Sequence, residues 1–174
     1  ISGEEPTNIS VTNISGVDYL NYREYGPTID DSAVVGWLNE PSTRETFNVD
    51  KSVETFETCK EWIYKLFVWD DAQSFAGNFT SLIEGTKVLL YSGQNDIEEN
   101  TANSYKWLSQ IDWKGREDFE NSNKRTMAGY ERGGFVKKSN NLSFVQINNA
   151  GHLVPADQPS MAFEMMKKWL NNSL

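Results

Sequence analysis

The sequence has 174 residues, a net charge of −9, 38% hydrophobic residues and an aromatic share of 13%. Length and aromatic content predict a globular chain with a real core. The negative charge argues against nucleic acid and against anionic membrane surfaces as partners, and no apolar run is long enough for a membrane span. Since the chain starts at Ile1 and shows no signal peptide, we expect it to be a piece of a longer polypeptide.

The first half of the chain predicts irregular structure followed by helices. Residues 1–30 are polar without periodicity and favour extended or irregular surface structure. Residues 30–32 offer N-cap chemistry for a helix that ends at Glu40, before a proline. A second short helix is expected from that proline to about Asn48. Residues 55–83 place aromatic and aliphatic side chains three or four positions apart, which predicts helices that bury one face.

The second half changes to an alternation of strands and helices. Residues 87–93 form a short apolar run that predicts a buried parallel strand, and a helix is expected over 101–110. Two further strands, 128–135 and 142–148, are predicted around the polar turn 137–141. This order is typical of the closing half of an α/β sheet.

An amphipathic helix is predicted over residues 160–172, after the last strand. Its apolar stripe is interpreted as core packing and not as a cofactor box. The stripe consists of Met161, Phe163, Met165, Met166, Trp169 and Leu170.

Two turns follow strands and carry titratable side chains. Asp96 lies just beyond the first strand, and His152, the only histidine in the chain, lies beyond the last, 56 residues later. Reactive groups of open α/β sheets gather at the carboxyl ends of the strands. A carboxylate bonded to an imidazole fixes its tautomer and stabilises the imidazolium. This pair follows the Asp-then-His order of α/β-hydrolases.

The nucleophile of such a triad is missing from the sequence. No Gly-x-Ser-x-Gly pentapeptide occurs anywhere in the 174 residues. Ser92 is only four residues before Asp96, so it cannot occupy an elbow of its own, and Cys59 lacks flanking glycines. The chain therefore supplies an acid and a base with nothing to activate.

Four segments in the second half of the chain resemble the carboxy-terminal third of the serine carboxypeptidases, with vitellogenic-like members most similar. They are KVLLYSGQNDIEEN, DWKG, AGYERGGF and NNAGHLVPADQPSMAFEMMKKWL. The segment GWLNEPSTRETFNV resembles the family's helical insertion before the last core strands. The likeness covers roughly Asp31 to Leu170. It implies an α/β-hydrolase fold, of which residues 1–86 would be the end of the insertion with connecting segments and residues 87–174 the closing half of the core.

The resemblance also assigns roles to single residues. Asp96 and His152 match the family's catalytic Asp and His, and Leu153 matches a residue that lines the pocket for the substrate's terminal side chain. Cys59 matches a position at which many members have a half-cystine bonded to the amino-terminal half. This chain has Glu99 where many relatives have a cysteine, which puts the character of the pocket there in question.

The resemblance implies a partner chain. The family's nucleophilic Ser, its oxyanion-hole amides and the acidic residues that grip the substrate carboxylate all precede the region covered here. We therefore expect an amino-terminal chain of the same precursor, or a truncated remainder, to complete the site, with a peptide as substrate and no cofactor. Two alternatives stay open: an acyltransferase with the same triad, and a non-catalytic binding or structural remnant.

Several of these residues also have a simpler interpretation. Asp96 could cap the helix that follows it, and His152 could be an ordinary solvated side chain. Asp157 is interpreted as a turn residue that anchors the loop, and Glu98 and Glu99 as a solvated pair near a helix start. A zinc site is not expected, since one His and one Cys do not supply the usual ligand set.

Sequons for N-glycosylation point to the secretory pathway. The triplet Asn-x-Ser/Thr occurs at Asn8, Asn13, Asn78, Asn141 and Asn171. Since Cys59 is the only cysteine, it has no partner within the chain, and an odd cysteine in a secreted protein indicates pairing with another chain, a free thiol or an inert buried one. With the resemblance, we expect a lysosomal, vacuolar or secreted protein.

Overall fold

The computed structural model describes Asn21, residues 30–127 and residues 132–174. The expectation of irregular structure over residues 1–30 therefore lies almost wholly outside the described residues. The structure divides into two compact units, Ile29–Ser74 and a larger one that contains Phe75–Leu174. The sequence-based boundary at residue 86 stays a prediction. In the part of the chain that the structure describes, no helix is long and apolar enough to cross a bilayer.

The smaller unit consists of three helices, α1 (Ser32–Asn39), α2 (Pro41–Thr46) and α3 (Glu61–Asp71). Helix α1 starts where predicted. Its N-cap residue, Asp31, makes no side-chain capping bond, and Asp30 Oδ1 accepts a hydrogen bond from the Ser32 N–H at 3.0 Å. Helix α1 ends because Glu40, which precedes a proline, adopts an extended conformation with φ −62° and ψ 136°. Pro41 then opens α2, where its missing N–H leaves no hydrogen bond unmade.

Helix α3 departs from its expected burial. No residue of α3 is buried. Its large side chains are open to solvent: Trp62 is 58% exposed, Leu66 70% and Trp69 81%. The expectation that this helix buries one face is wrong for this chain. Three- and four-residue spacing indicates an apolar helix, but it does not indicate which molecule covers that helix.

Among the described residues, the larger unit contains a four-stranded sheet with helices around it. Its strands are β1 (Val88–Gly93), β2 (Arg125–Thr126), β3 (Gly134–Ser139) and β4 (Leu142–Ile147). Its helices are α4 (Ala76–Gly85), α5 (Thr101–Gln110), α6 (Arg116–Asn121), α7 (Val154–Asp157) and α8 (Pro159–Leu170). The strand order is β1-β4-β3-β2, with β1 parallel to β4 and the other pairs antiparallel.

The parallel pair sets the position of the two turns of interest. Gly93, the last residue of β1, is in register with Ile147, the last residue of β4. Both strands therefore end at the same level, and the two turns that follow lie side by side at the carboxyl ends of these strands. This arrangement follows from β1 being parallel to β4, as the sequence predicted for the run 87–93.

Strand β4 is the centre of the core because both of its faces are covered. Leu142 and Phe144 pack in a cluster with Leu108 of α5 and Phe119 of α6. The alternate residues Val145 and Ile147 pack in a second cluster, which includes Ala162 and Met165 of α8. Alternation of side chains along a strand sends neighbours to opposite faces, so a strand covered on both faces carries apolar residues on both, as β4 does apart from Ser143 and Gln146.

The hairpin before β4 differs from the prediction. Strand β3 runs over 134–139 instead of 128–135, and the turn is only Asn140 and Asn141, since Ser139 pairs with Leu142. Residues 128–131 lie outside the described residues. Lys137, expected in the turn, is a strand residue whose Nζ donates to the Glu120 carbonyl at 3.0 Å and lies 4.9 Å from the Phe119 ring centroid. Burial, with the nearby Lys124 charge, lowers the pKa of Lys137.

Helix α8 was predicted correctly, but fewer of its apolar side chains are buried than the predicted stripe contains. Ala162 and Met165 are buried, and Met161 packs partly against them. Phe163 is 66% exposed and Leu170 is 62% exposed, so these two do not belong to the core of this chain. The helices α6 and α7 and the short strand β2 were not predicted, because segments of two to six residues carry no measurable periodicity.

Candidate active site

The structure brings Asp96 and His152 together. Asp96 lies in the turn after β1, His152 lies in the turn after β4, and the two turns share one edge of the sheet. The Asp96 Oδ2 atom is 3.0 Å from His152 Nδ1, which is a hydrogen bond. The Asp96 side chain is 3% exposed and that of His152 is 35% exposed. A nearly buried carboxylate thus contacts an imidazole that remains accessible.

The carboxylate of Asp96 is held on both of its oxygens. Oδ1 accepts hydrogen bonds from the backbone N–H groups of Glu98 and Glu99 at 2.9 and 3.0 Å. Oδ2 is left for the imidazole. Since an ionised carboxylate only accepts, the bond to Nδ1 places the ring proton on that nitrogen and leaves Nε2 as an acceptor. These backbone bonds stabilise the turn after β1. The N-cap of helix α5 is Asn100, so the alternative that Asp96 caps that helix is wrong.

The two turns are also tied to each other directly. The N–H of Gln94 donates to the Ile147 carbonyl at 2.8 Å, and the N–H of Asn95 donates to the Ala150 carbonyl at 2.7 Å. The Gln94 side chain accepts from the Asn149 N–H at 3.1 Å. Sequence reasoning missed Gln94 and Asn95. The feature of the sequence that could have indicated them is their position between the end of a strand and Asp96. At such a position a polar side chain and backbone groups face the neighbouring turn.

Asp157 lies beneath the histidine turn. Its Oδ2 atom accepts from the Gly151 N–H at 2.6 Å and from the Asn21 side-chain amide at 2.9 Å. Asn21 itself is 3% exposed. These bonds agree with the interpretation of Asp157 as the residue that anchors the loop.

The Ser92 hydroxyl makes a local hydrogen bond and is not part of the Asp96–His152 pair. It is 6% exposed, and its hydroxyl lies 2.8 Å from the Thr101 hydroxyl at the start of α5. The pair is a local hydrogen bond between strand and helix. This geometry agrees with the argument from sequence that Ser92 does not form a nucleophile elbow.

A cavity of about 300 Å³ opens beside the Asp–His pair. Its lining combines apolar and acidic side chains, among them Leu90, Glu99, Trp107, Phe144 and His152. Glu98 and Glu99 are both exposed, as expected for a solvated pair. Leu153 is the N-cap residue of α7 and is not among the described residues that line this cavity, so its pocket role stays a prediction.

The remaining candidates lie at separate places in the fold. Cys59 is an exposed free thiol in the smaller unit. Asn78 in α4 and Asn171 after α8 are exposed, whereas the Asn141 amide donates to the Ile83 carbonyl at 3.0 Å. Asn8 and Asn13 lie outside the described residues. Within the described ranges no group of three or more His, Cys, Asp or Glu side chains is placed to hold a metal ion.

Comparisons with known proteins identify relatives over most of the chain. The sequence model of the family described as serine carboxypeptidase matches residues 11–172. A serine carboxypeptidase-like protein of Pisum sativum is 30% identical over 164 residues, which are 91% of this chain and 57% of the pea protein. The venom serine carboxypeptidase of Apis mellifera is 31% identical over 163 residues, 92% of this chain and 34% of the bee protein. The chain thus spans about a third to just over half of these relatives.

A solved structure gives the fold. The Saccharomyces cerevisiae protein Kex1(Δ)p, a prohormone-processing carboxypeptidase, superimposes with a TM-score of 0.73 at 18% identity, over 90% of this chain and 36% of that protein. This match confirms the prediction that the chain is the closing, carboxy-terminal half of an α/β-hydrolase fold. The family predicted from residues 31–170 is confirmed as well, by a match that extends to both sides of that range. This chain belongs to the serine carboxypeptidase family.

Proposed function

We propose that this chain supplies the Asp and the His of a Ser-Asp-His triad, and that the assembled protein removes carboxy-terminal residues from peptides. The observation that carries the proposal is the 3.0 Å bond between Asp96 Oδ2 and His152 Nδ1 at the carboxyl edge of two parallel strands. Family membership supports the chemistry of serine carboxypeptidases. No cofactor is needed for acyl transfer by such a triad.

In the proposed mechanism, a serine of the missing amino-terminal part attacks the carbonyl carbon of the last peptide bond. His152 Nε2 takes the proton of the serine hydroxyl, and Asp96 stabilises the resulting imidazolium through Nδ1. The imidazolium gives that proton to the leaving amine, so that the terminal amino acid departs and an acyl-enzyme remains. Water then attacks the acyl-enzyme with His152 again as the base.

The open edge of the sheet supports a missing part of the protein. Strand β1 is the outermost strand in the order β1-β4-β3-β2, so among the described residues it has a neighbour on one side only. An unpaired strand edge is a surface that proteins normally pair or cover. The absence of a Gly-x-Ser-x-Gly pentapeptide and the partial coverage of the relatives point the same way.

The smaller unit supports a partner by a separate observation. The exposed large side chains of α3 form an apolar surface of a kind that marks protein interaction sites. An apolar cavity of about 730 Å³ in the same unit is lined by residues that include Phe47, Phe56, Ile63 and the exposed Cys59. A chain disulfide-bonded at Cys59 would lie against this surface. We propose the amino-terminal chain of the same precursor as that partner, in a lysosomal, vacuolar or secreted protein.

The test uses the complete precursor expressed in a eukaryotic secretory host. Incubation with peptides of defined sequence, followed by mass spectrometry, should show loss of single residues from the carboxyl end. A serine-directed phosphonate should label the amino-terminal part and inhibit this reaction. His152→Ala should abolish turnover, whereas Asp112→Asn, a change at an exposed carboxylate, should preserve it.

Three outcomes would contradict the proposal in different ways. Peptide hydrolysis that survives His152→Ala would place the base elsewhere. Transfer of an acyl group to an added alcohol, without peptide hydrolysis, would identify an acyltransferase. A complete protein that folds but neither labels nor hydrolyses would be a non-catalytic remnant. The isolated 174-residue chain, which lacks the serine, should show neither labelling nor peptidase activity.

A further inference from the structure

Asp157 is a carboxylate next to the proposed active site to which the proposed mechanism gives no role. It is the last residue of α7, five positions after His152. Its Oδ2 atom accepts two hydrogen bonds, the Gly151 N–H at 2.6 Å and the Asn21 amide at 2.9 Å.

We propose that Asp157 is a positioning residue, which holds Gly151 and thereby keeps the His152 ring within hydrogen-bond reach of Asp96. This inference rests on the proposed function, because it concerns the alignment of the proposed general base. Asp157 acts through Gly151 and touches no reacting atom.

The need for such an anchor arises from glycine itself. Gly151 directly precedes His152, and glycine populates backbone conformations that other residues avoid. A free glycine at this place would let the direction of the following residue vary. The hydrogen bond to Asp157 fixes the N–H of the Ala150–Gly151 peptide, from which Gly151 leads into His152.

Local structure brings Asp157 back beneath the turn. Helix α7 is a single turn in which the N–H groups of Ala156 and Asp157 both donate to the Leu153 carbonyl, at 2.8 and 3.1 Å. The next residue, Gln158, donates from its side chain to the Asn149 carbonyl at 3.2 Å. Residues 149–158 therefore form a loop whose two ends are joined by this bond, and His152 lies within it.

The other ties of this turn are not equivalent to Asp157. Asn95 donates to the Ala150 carbonyl at 2.7 Å, and the Gln94 side chain accepts from Asn149 at 3.1 Å. The Asn95 bond holds the carbonyl of the same Ala150–Gly151 peptide whose N–H donates to Asp157, and neither of these two ties contains a charged group. Loss of Asp157 thus leaves the two turns joined, but the Ala150–Gly151 peptide is then held by its carbonyl alone.

The test compares Asp157→Ala and Asp157→Asn with Asp112→Asn in the complete protein. Rates are divided by the concentration of active sites, which is measured by titration with a phosphonate. Unfolded molecules therefore do not contribute to kcat. For Asp157→Ala we expect kcat to fall between about 10- and 100-fold with KM within about twofold of its original value. Asp157→Asn retains an acceptor oxygen and should recover most of kcat. Asp112→Asn should change neither constant.

A second measurement reports position without activity. The proton of an Asp–His hydrogen bond gives a far-downfield 1H NMR signal, which is assigned to this pair by its loss in Asp96→Asn. We expect Asp157→Ala to broaden or abolish this signal and Asp157→Asn to retain it.

The outcomes separate this proposal from the proposed function. Unchanged kcat per titrated site in Asp157→Ala, or an unchanged downfield signal, would overturn the positioning role even if Asp157→Ala lowers the melting temperature. A complete protein without peptidase activity would overturn the proposed function, and the downfield signal would still decide the role of Asp157.

Discussion

Gly93 lies against Gly151 so closely that a Cβ atom on Gly93 would overlap the Gly151 carbonyl oxygen. The same atom would overlap the carbonyl oxygen of Ala150. The absence of a side chain at the end of β1 therefore allows the Asp96 turn and the His152 turn to approach each other. Gly93 is required here for its size and not for an unusual φ angle.

Gly93→Ala should force the two turns apart. We expect a loss of about 1–3 kcal/mol in the free energy of unfolding, as for other overpacked sites, and a fall in kcat of the complete protein. Gly77→Ala is the matched control, because nothing lies within 4 Å of a Cβ there and alanine is the better helix former. Urea unfolding measures the free energy of unfolding of the two variants. Equal stability of the two variants would contradict the close approach.

Asp96→Asn should leave the fold intact and impair the proposed chemistry. An asparagine has one acceptor oxygen, which cannot serve both the Glu98 and Glu99 amides and the His152 ring. We expect kcat to fall by about 10⁴-fold, because the wrong tautomer of the imidazole is favoured. Steady-state kinetics on the complete protein with Asp112→Asn as control measures this. A loss below tenfold would argue that Asp96 is only a turn-capping residue.

Ser92→Ala distinguishes a structural hydroxyl from a nucleophile. The Ser92 hydroxyl bonds to Thr101 at 2.8 Å, so its removal should cost about 1 kcal/mol of stability. Labelling of the complete protein by serine-directed phosphonates should persist in this variant. Mass spectrometry of the labelled chains is the measurement. If the label disappears, the nucleophile lies in this chain.

The glycosylation sites should differ in occupancy. Asn78 and Asn171 are exposed, whereas the Asn141 side-chain amide donates to the Ile83 carbonyl at 3.0 Å and also lies 3.4 Å from the Glu84 carbonyl. A glycan on Asn141 would disturb both contacts. Peptide mapping of secreted material should find glycans on Asn78 and Asn171 and none on Asn141. A glycan on Asn141 would refute this order.

Cys59 should be oxidised in the complete protein. It is exposed in this chain and lines the apolar cavity of the smaller unit, where a partner would meet it. Electrophoresis of the processed protein should release the 174-residue chain only after reduction, and Cys59→Ser should release it without reduction. Full reactivity of Cys59 with a thiol reagent in the native protein would contradict the disulfide.

The sequence predicted the parts of the fold that long periodic segments encode. Helix α5 was predicted with its observed bounds, Thr101–Gln110, and the structure adds its N-cap, Asn100, whose side chain accepts from the Asn103 N–H. The shift of β3 has the opposite cause. Its lysines were interpreted as turn residues, yet the Lys137 Nζ lies 4.9 Å from the Phe119 ring centroid, a contact between distant residues that no local pattern contains.

The candidate site could likewise be predicted only in part. Asp96 and His152 could be found because each follows a strand in a short polar turn. The roles of Gln94, Asn95 and Asp157 could not, because their bonds cross between turns or run back beneath one. The exposed aromatics of α3 mark the limit of reasoning on a single chain, since their spacing is a property of the helix and their burial depends on its neighbours.

The parallel register of β1 and β4 sets the distance between Asp96 and His152, and the 56 residues between them do not. Insertions of any length in the connections around α5 and α6 would therefore leave the acid and the base together. Removing two residues from β1 would instead move Asp96 by about 7 Å along the sheet, which is beyond the length of any hydrogen bond. During divergence, the loops between these strands are free to change in length, and the two strands are not.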